Sequence, residues 1–198
     1  MNENPVKWVG YLLSFASLII SCAGTEVTQK QVDDAYKGKP VSDILVIAVT
    51  GNEHNRRSYE KKFVAHLKSA GVDAIASEKV MPMPADLKLK TETIVDAVNQ
   101  YENDAVIITQ LIGKESKDIR TRGPATRMGF FYYSLDPGYS STSTTVRLET
   151  NLYDAKTGKL IWSGNSKTLS NDETDQIMNE IIKTVINNLK MDKVIAPK

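Results

Sequence analysis

The chain has 198 residues, with 25 Lys+Arg against 24 Asp+Glu and a formal net charge of +1. That length holds one core-bearing domain, and 41% hydrophobic with 25% charged residues excludes wholesale disorder. A near-zero charge excludes long-range attraction to nucleic acid, and one Cys with two His argues against a disulfide framework, a metal centre or a bound cofactor.

Residues 1–21 read as a signal peptide. Lys7 supplies a modest positive start, and the apolar run Trp8–Ile20 follows. At about 1.5 Å per residue the run covers roughly 20 Å, short of the ~30 Å hydrocarbon core that a permanent span needs. It ends in Ile19-Ile20-Ser21-Cys22, and Cys22 is the only cysteine of the chain. This stretch resembles the lipobox of bacterial lipoproteins. The resemblance implies that Cys22 carries a diacylglyceryl thioether, becomes the new N-terminus and takes a third acyl chain. At about 0.8 kcal/mol per buried CH₂, more than one chain anchors stably. Ala23 stands where the family places Asp for inner-membrane retention. The resemblance therefore implies a periplasmic protein on the outer membrane of a Gram-negative host. The alternative is a plain signal peptide cut near Ser21-Cys22-Ala23.

Residues 22–40, with Gly24, Thr25, Thr28, Gln29, Lys30, Gly38, Lys39 and Pro40, read as a lipidated polar tether that holds the domain off the bilayer. A turn of helix fits Gln31–Tyr36. The domain itself is expected over residues 41–195. Asp43–Thr50 is a continuous apolar run rich in β-branched residues, the pattern of a strand buried on both faces. Over residues 55–70 the period changes: Tyr59, Phe63, Leu67 and Ala70 predict an amphipathic helix closed by Gly71. Val72–Ser77 predicts a second strand, and Pro82 and Pro84 mark a loop in which Met81 and Met83 make a hydrophobic turn. Thr91 is the expected cap of a second helix that buries Ile94, Val95, Val98 and Tyr101. Asp104–Leu111 predicts the third strand.

Thr144–Asp154 alternates. Val146, Leu148, Thr150 and Leu152 are expected inside, and Arg147, Glu149, Asn151 and Tyr153 outside. Asp154 to Gly158 predicts a turn, Lys159–Thr168 its partner strand, and Trp162 core or cross-strand packing. Ser170 to Glu173 has capping-box spacing before a last helix with Ile177, Ile181, Val185 and Leu189 on one stripe and Met178, Ile182 and Ile186 beside it. Val194 and Ile195 are expected to dock. The fold class is α/β, in the order β-α-β-α-β-β-β-α. Its mixed sheet has parallel core strands and a C-terminal antiparallel hairpin.

A lipobox, then an apolar strand and helix, then Glu102 to Thr109, then Leu152 to Trp162, then a closing helix together resemble small periplasmic lipoproteins. Their domain is similar to the N-terminal domain of the Tol-Pal translocation protein. It is also seen in curli-secretion lipoproteins and in lipoprotein activators of penicillin-binding proteins. The resemblance covers roughly residues 41–195 in element order. It implies a fold and a binding or assembly role, because those families share no enzymatic site.

Two places invite a functional reading. Residues 113–142 form an arm far longer than the ~4–6 residues of an ordinary connection. It is basic first, with Arg120, Arg122 and Arg127, and aromatic next, with Phe130, Phe131, Tyr132, Tyr133 and Tyr139. Such residues suit a partner-binding or membrane-apposed arm. A longer third strand, or an aromatic lid on the core, accounts for the same residues. The second place is His54, Arg56 and Arg57, after the first strand where a helix begins, which suits a small anion. A solvated helix start explains it more simply.

No G-x-S-x-G elbow and no H-E-x-x-H pattern occurs. The sequence thus predicts a non-catalytic, lipid-anchored envelope protein. It would be joined to the membrane through acylated Cys22 and would bind an envelope protein or further copies of itself, not nucleic acid. A periplasmic small-molecule or anion-binding module and a secretion-channel subunit are the alternatives.

Overall fold

Among the described residues, the apolar runs of β-branched residues stand side by side in one sheet. The computed structural model describes residues 24–36, 39–115, 126–128, 131–133, 144–170 and 174–196. In it β2 (Asp43–Val49) runs parallel to β3 (Asp73–Ala76) on one side and to β4 (Ala105–Glu115) on the other. β7 (Thr144–Asp154) then pairs antiparallel with β4, β8 (Leu160–Ser170) with β7, and β1 (Glu26–Val32) with β8. The strand order is β1-β8-β7-β4-β2-β3. β5 (Thr126–Met128) and β6 (Phe131–Tyr133) pair antiparallel as a separate two-stranded ladder. The α/β class, the parallel core and the antiparallel C-terminal strands are as the sequence predicts.

Three helices cover this sheet. α1 (Glu53–Ser69) and α3 (Thr174–Met191) pack on one face, where Tyr59, Phe63, Leu67, Ile181, Val185 and Leu189 meet Ile44, Val46, Ile107, Leu152 and Trp162. α2 (Thr91–Tyr101) packs on the other, against Leu45, Ile47, Val106, Ile108 and Tyr153. No described helix is long and apolar enough to cross a membrane. Full burial of one such aliphatic side chain contributes about 1.5–3 kcal/mol, so the two layers together outweigh any surface interaction. Val194 and Ile195 dock as expected: both are buried, and the Val41 N–H donates to the Val194 carbonyl at 2.8 Å. Gly158 takes φ 65° at the end of the β7–β8 turn, as Asp154 to Gly158 predicts.

The structure corrects four local expectations. The stretch read as tether contains β1, seven residues long, with a 3-10 turn at Asp34–Tyr36 behind it. Apart from Val27 and Val32 its side chains are polar and exposed, so local periodicity does not mark it as a strand; its partner lies some 140 residues away. In α2 the buried stripe is Ile94, Ala97 and Val98, whereas Val95 and Tyr101 are exposed. The i, i+3, i+4 row runs through the small Ala97, and the sheet takes that row. Lys90, not Thr91, is the N-cap of α2, and its side chain makes no capping bond. Finally, β7 is not half-exposed at its C-terminal end. Asn151 and Tyr153, expected outside, are buried because α2 covers the second face there. The expected capping box reaches residues 171–173, outside the described residues.

Candidate functional site

The start of α1 shows how the anion-site residues are used. Asn52 caps the helix in extended conformation, and its Oδ1 accepts from the Asn55 N–H at 3.0 Å. Arg56 turns inward and is 2% exposed. Its Nε donates to Glu60 Oε1 at 3.2 Å, and its Nη2 to Ser77 Oγ and the Met81 carbonyl, both at 2.9 Å. Glu60 is fully buried and also accepts from the Ala48 N–H at 2.9 Å, the Ser77 hydroxyl at 2.7 Å and the Glu78 N–H at 2.7 Å. Burial pushes its carboxyl above the ordinary range, and the surrounding donors and the Arg56 charge pull it back. This is a buried charge network that ties the end of β2 to α1 and to the 3-10 turn Ser77–Lys79.

Of the three residues expected at an anion, the structure therefore separates Arg56 from the others. His54 is exposed, and Arg57 is exposed beside Glu53 at 3.8 Å and Glu78 at 3.9 Å. Two carboxylates, not an open helix N-terminus, face Arg57. The i, i+4 spacing of Arg56 and Glu60 was the sequence signal for this pair, but spacing does not say that the pair is buried.

The second place is the far end of the sheet, where β4, β7 and β8 run on for eleven residues each, past β2 and β3. One row crosses four strands there: Glu26 lies opposite Lys167, Lys167 opposite Arg147, and Arg147 opposite Gly113. A ladder of hydroxyls leads to this end on the α1 face. The Tyr59 hydroxyl donates to Thr109 Oγ1 at 3.3 Å, and the Thr109 and Thr150 hydroxyls are 3.1 Å apart. Gly164 follows Thr150 in the next strand. A Cβ on Gly164 would lie 2.9 Å from Trp162 Cζ2 and closer still to Cη2, so the six-membered ring of the indole occupies the space that a side chain there would need. Thr25 and Thr168 then join their hydroxyls at 2.6 Å, beside the start of β1.

The arm leaves the sheet at this end, after Glu115, and returns at Thr144. Within it, Arg127 faces Tyr132, Met128 faces Phe131 and Thr126 faces Tyr133. Ten residues on each side, 116–125 and 134–143, separate this ladder from β4 and β7. At the root of the arm Glu115 faces Thr145. β5 and β6 thus form their own two-stranded ladder, which lies between β4 and β7 in the chain. Arg120, Arg122, Phe130, Tyr139 and Cys22 lie outside the described residues.

A third feature lies at the opposite end. A cleft of about 590 Å³ is lined by Ile94, Val98, Asn103, Val106 and Lys156, among others. Asn103 is buried and gives its amide N–H to Asp43 Oδ1 at 2.7 Å, while its own Oδ1 has no partner among the described residues. Among the described residues, no group of three or more His, Cys, Asp or Glu is placed to hold a metal ion.

No protein-family model matches the sequence, and no curated protein matches it. Solved structures do resemble it. The PelC dodecamer from Paraburkholderia phytofirmans is 11% identical, at 88% coverage of this chain and 98% of that one, with a TM-score of 0.48. A variant of the same protein in another crystal form gives 10% identity, the same coverages and a TM-score of 0.49. Lipoprotein GNA1162 from Neisseria meningitidis is 18% identical, at 76% and 99% coverage, with a TM-score of 0.43. The chain is thus distantly similar in structure to PelC and to lipoprotein GNA1162.

Proposed function

We propose that the chain is a lipid-anchored component of the bacterial cell envelope, acylated on Cys22 and facing the periplasm. In this reading it has a binding or assembly role and no catalytic one. The observation that carries the reading is the seating of β1: Glu26 opens a strand of the sheet only four residues after Cys22. The single cysteine, at the end of an apolar run, is thereby joined to the folded domain with almost no slack.

The assembly surface in this reading is the outer edge of β1. The other edge strand, β3, has four residues, whereas β1 has seven and pairs with β8 on one side only. A long edge strand accepts a strand from another chain through its main-chain groups. The Asp33 N–H donates to the Ile161 carbonyl at 2.9 Å, so alternation turns the N–H of Gln31 and Gln29 toward β8 and that of Lys30 outward. The occupant is an envelope protein or a second copy of the chain.

Metabolic palmitate labelling and membrane fractionation test the anchor. The wild type is expected labelled and membrane-bound, and Cys22→Ser unlabelled and released. A cold wild type that fractionates like Cys22→Ser defeats the reading. For the edge, Lys30→Pro removes an outward donor and leaves the β8 ladder in place. It is expected to lose cross-linked partners or copies with little change in melting temperature. Unchanged cross-linking would show that β1 is not the surface.

A further inference from the structure

The two ends of the sheet differ in what they carry. At one end the chain arrives from Cys22, at the row of Glu26, Lys167, Arg147 and Gly113, and two residues farther on, at Glu115, it leaves for the aromatic ribbon. Four extended residues span at most about 14 Å, so an anchor on Cys22 holds this end close to the lipid surface. The opposite end lies roughly 33 Å away along β4, at about 3.3 Å per residue. It gathers Asp43, Asp73, Asp104 and Asp154, with Lys156 and Lys159 at the turn.

We propose that the Glu26–Lys167–Arg147–Gly113 end of the sheet docks on the bilayer that holds the acyl chains, and that the ribbon β5–β6 is its second contact with that lipid surface. The proposal rests on Cys22 being the anchor. Three observations favour this occupant. The length of chain between Cys22 and β1 leaves no room to turn the domain over. The ribbon belongs to the segment that leaves the sheet and returns to it at this same end, and Arg127, Phe131, Tyr132 and Tyr133 occupy its two strands. Aromatic rings settle in the interfacial zone of a bilayer, and arginine pairs with phosphate headgroups. Lastly, Arg147 and Lys167 stand opposite each other in neighbouring strands at the near end, where two cations can meet lipid phosphates.

Tryptophan quenching by brominated lipid reads the orientation. Trp162 is fully buried and serves as an internal reference. Two variants of the full chain, Tyr132→Trp at the ribbon and Lys156→Trp at the far turn, are expressed with their leader. They are then reconstituted into phosphatidylethanolamine–phosphatidylglycerol vesicles with plain or brominated chains. The Tyr132→Trp emission is expected to fall roughly twofold in brominated vesicles, and that of Lys156→Trp to stay unchanged. Phe131→Trp repeats the ribbon measurement should Tyr132→Trp fail to fold. Quenching at Lys156→Trp, or at neither position of a vesicle-bound protein, overturns the proposal. The intact mass of the same samples reports acylation separately. Should Cys22 carry no acyl chain, the anchor reading fails by itself. The chain from Cys22 onward, which holds every described element, then takes a lipid maleimide on the Cys22 thiol. The same two probes decide the docking face: ribbon quenching alone supports it, and any other pattern overturns it.

Discussion

From Ala105 to Ile108 the middle of the sheet is covered twice, by α1 and α3 on one face and by α2 on the other. From Leu111 to Glu115 the same strands run on with thinner cover. In the first region Ile44, Leu45, Ile47, Val106, Ile107 and Leu152 are at most 1% exposed. In the second, Leu111, Ile112, Val146, Arg147 and Leu148 are half-buried, and the buried positions are Thr145, Ser166 and Thr168. Apolar surface taken from water on both faces is what holds a domain together. Strands that outrun their helices add pairing but little burial. The extension is thus where the protein places its arm, and the doubly covered region is where it places its stability.

Five variants break or sharpen this contrast. Glu60→Gln strands the Arg56 charge in the buried network and is expected to cost about 3–5 kcal/mol in urea unfolding. Arg57→Ala, one position from Arg56 but exposed, should change stability by no more than about 0.5 kcal/mol. Equal costs for the two would mean that the network does not hold α1 to the sheet. Gly164→Ala drives a methyl into the Trp162 ring at the border of the two regions, with an expected loss of about 1–3 kcal/mol by thermal or chemical unfolding.

Asp154 at the covered end accepts from the Thr157 hydroxyl and N–H, both at 2.7 Å. Partial burial raises its carboxyl, but these bonds outweigh that and hold it below the ordinary 3.8. A depressed folded value stabilises at pH above the unfolded value, and the gain disappears as pH falls through the folded one. Asp154→Ala should therefore cost about 1 kcal/mol at neutral pH and progressively less below about pH 4. The smallest effect is expected from replacing residues 116–143 by a short Gly-Ser turn. The β4–β7 ladder still closes at Glu115 and Thr145, so stability should move by less than about 1 kcal/mol. A larger loss would show that the arm props up the core.

Much of the architecture was legible because the strong signals are local. The run Ile44 to Val49, the helical stripes of α1 and α3, the turn from Asp154 to Gly158 and the docking of Val194 and Ile195 each declare themselves in a few consecutive residues. The candidate sites were legible only as lists of residue types. Nothing along the chain says that Arg56 points inward while Arg57 points out. That depends on the Met81 carbonyl and Ser77, which arrive through the turn after β3. Val95 and Tyr101 looked like core because they are apolar and suitably spaced, yet the sheet met the side of α2 that carries Ala97.

By itself, then, the sequence determined the order of the three helices and of β2, β3, β4, β7 and β8, and the two-faced burial of the parallel core. The tertiary structure alone decided that residues 26–32 belong to the sheet, because Glu26 finds its partner at Lys167, and pairing over such a separation leaves no local periodicity. It likewise decided that the start of β1 and the point where the arm leaves β4 share one end of the sheet. Direction along a sheet is a property of strand pairing, and single strands do not carry it.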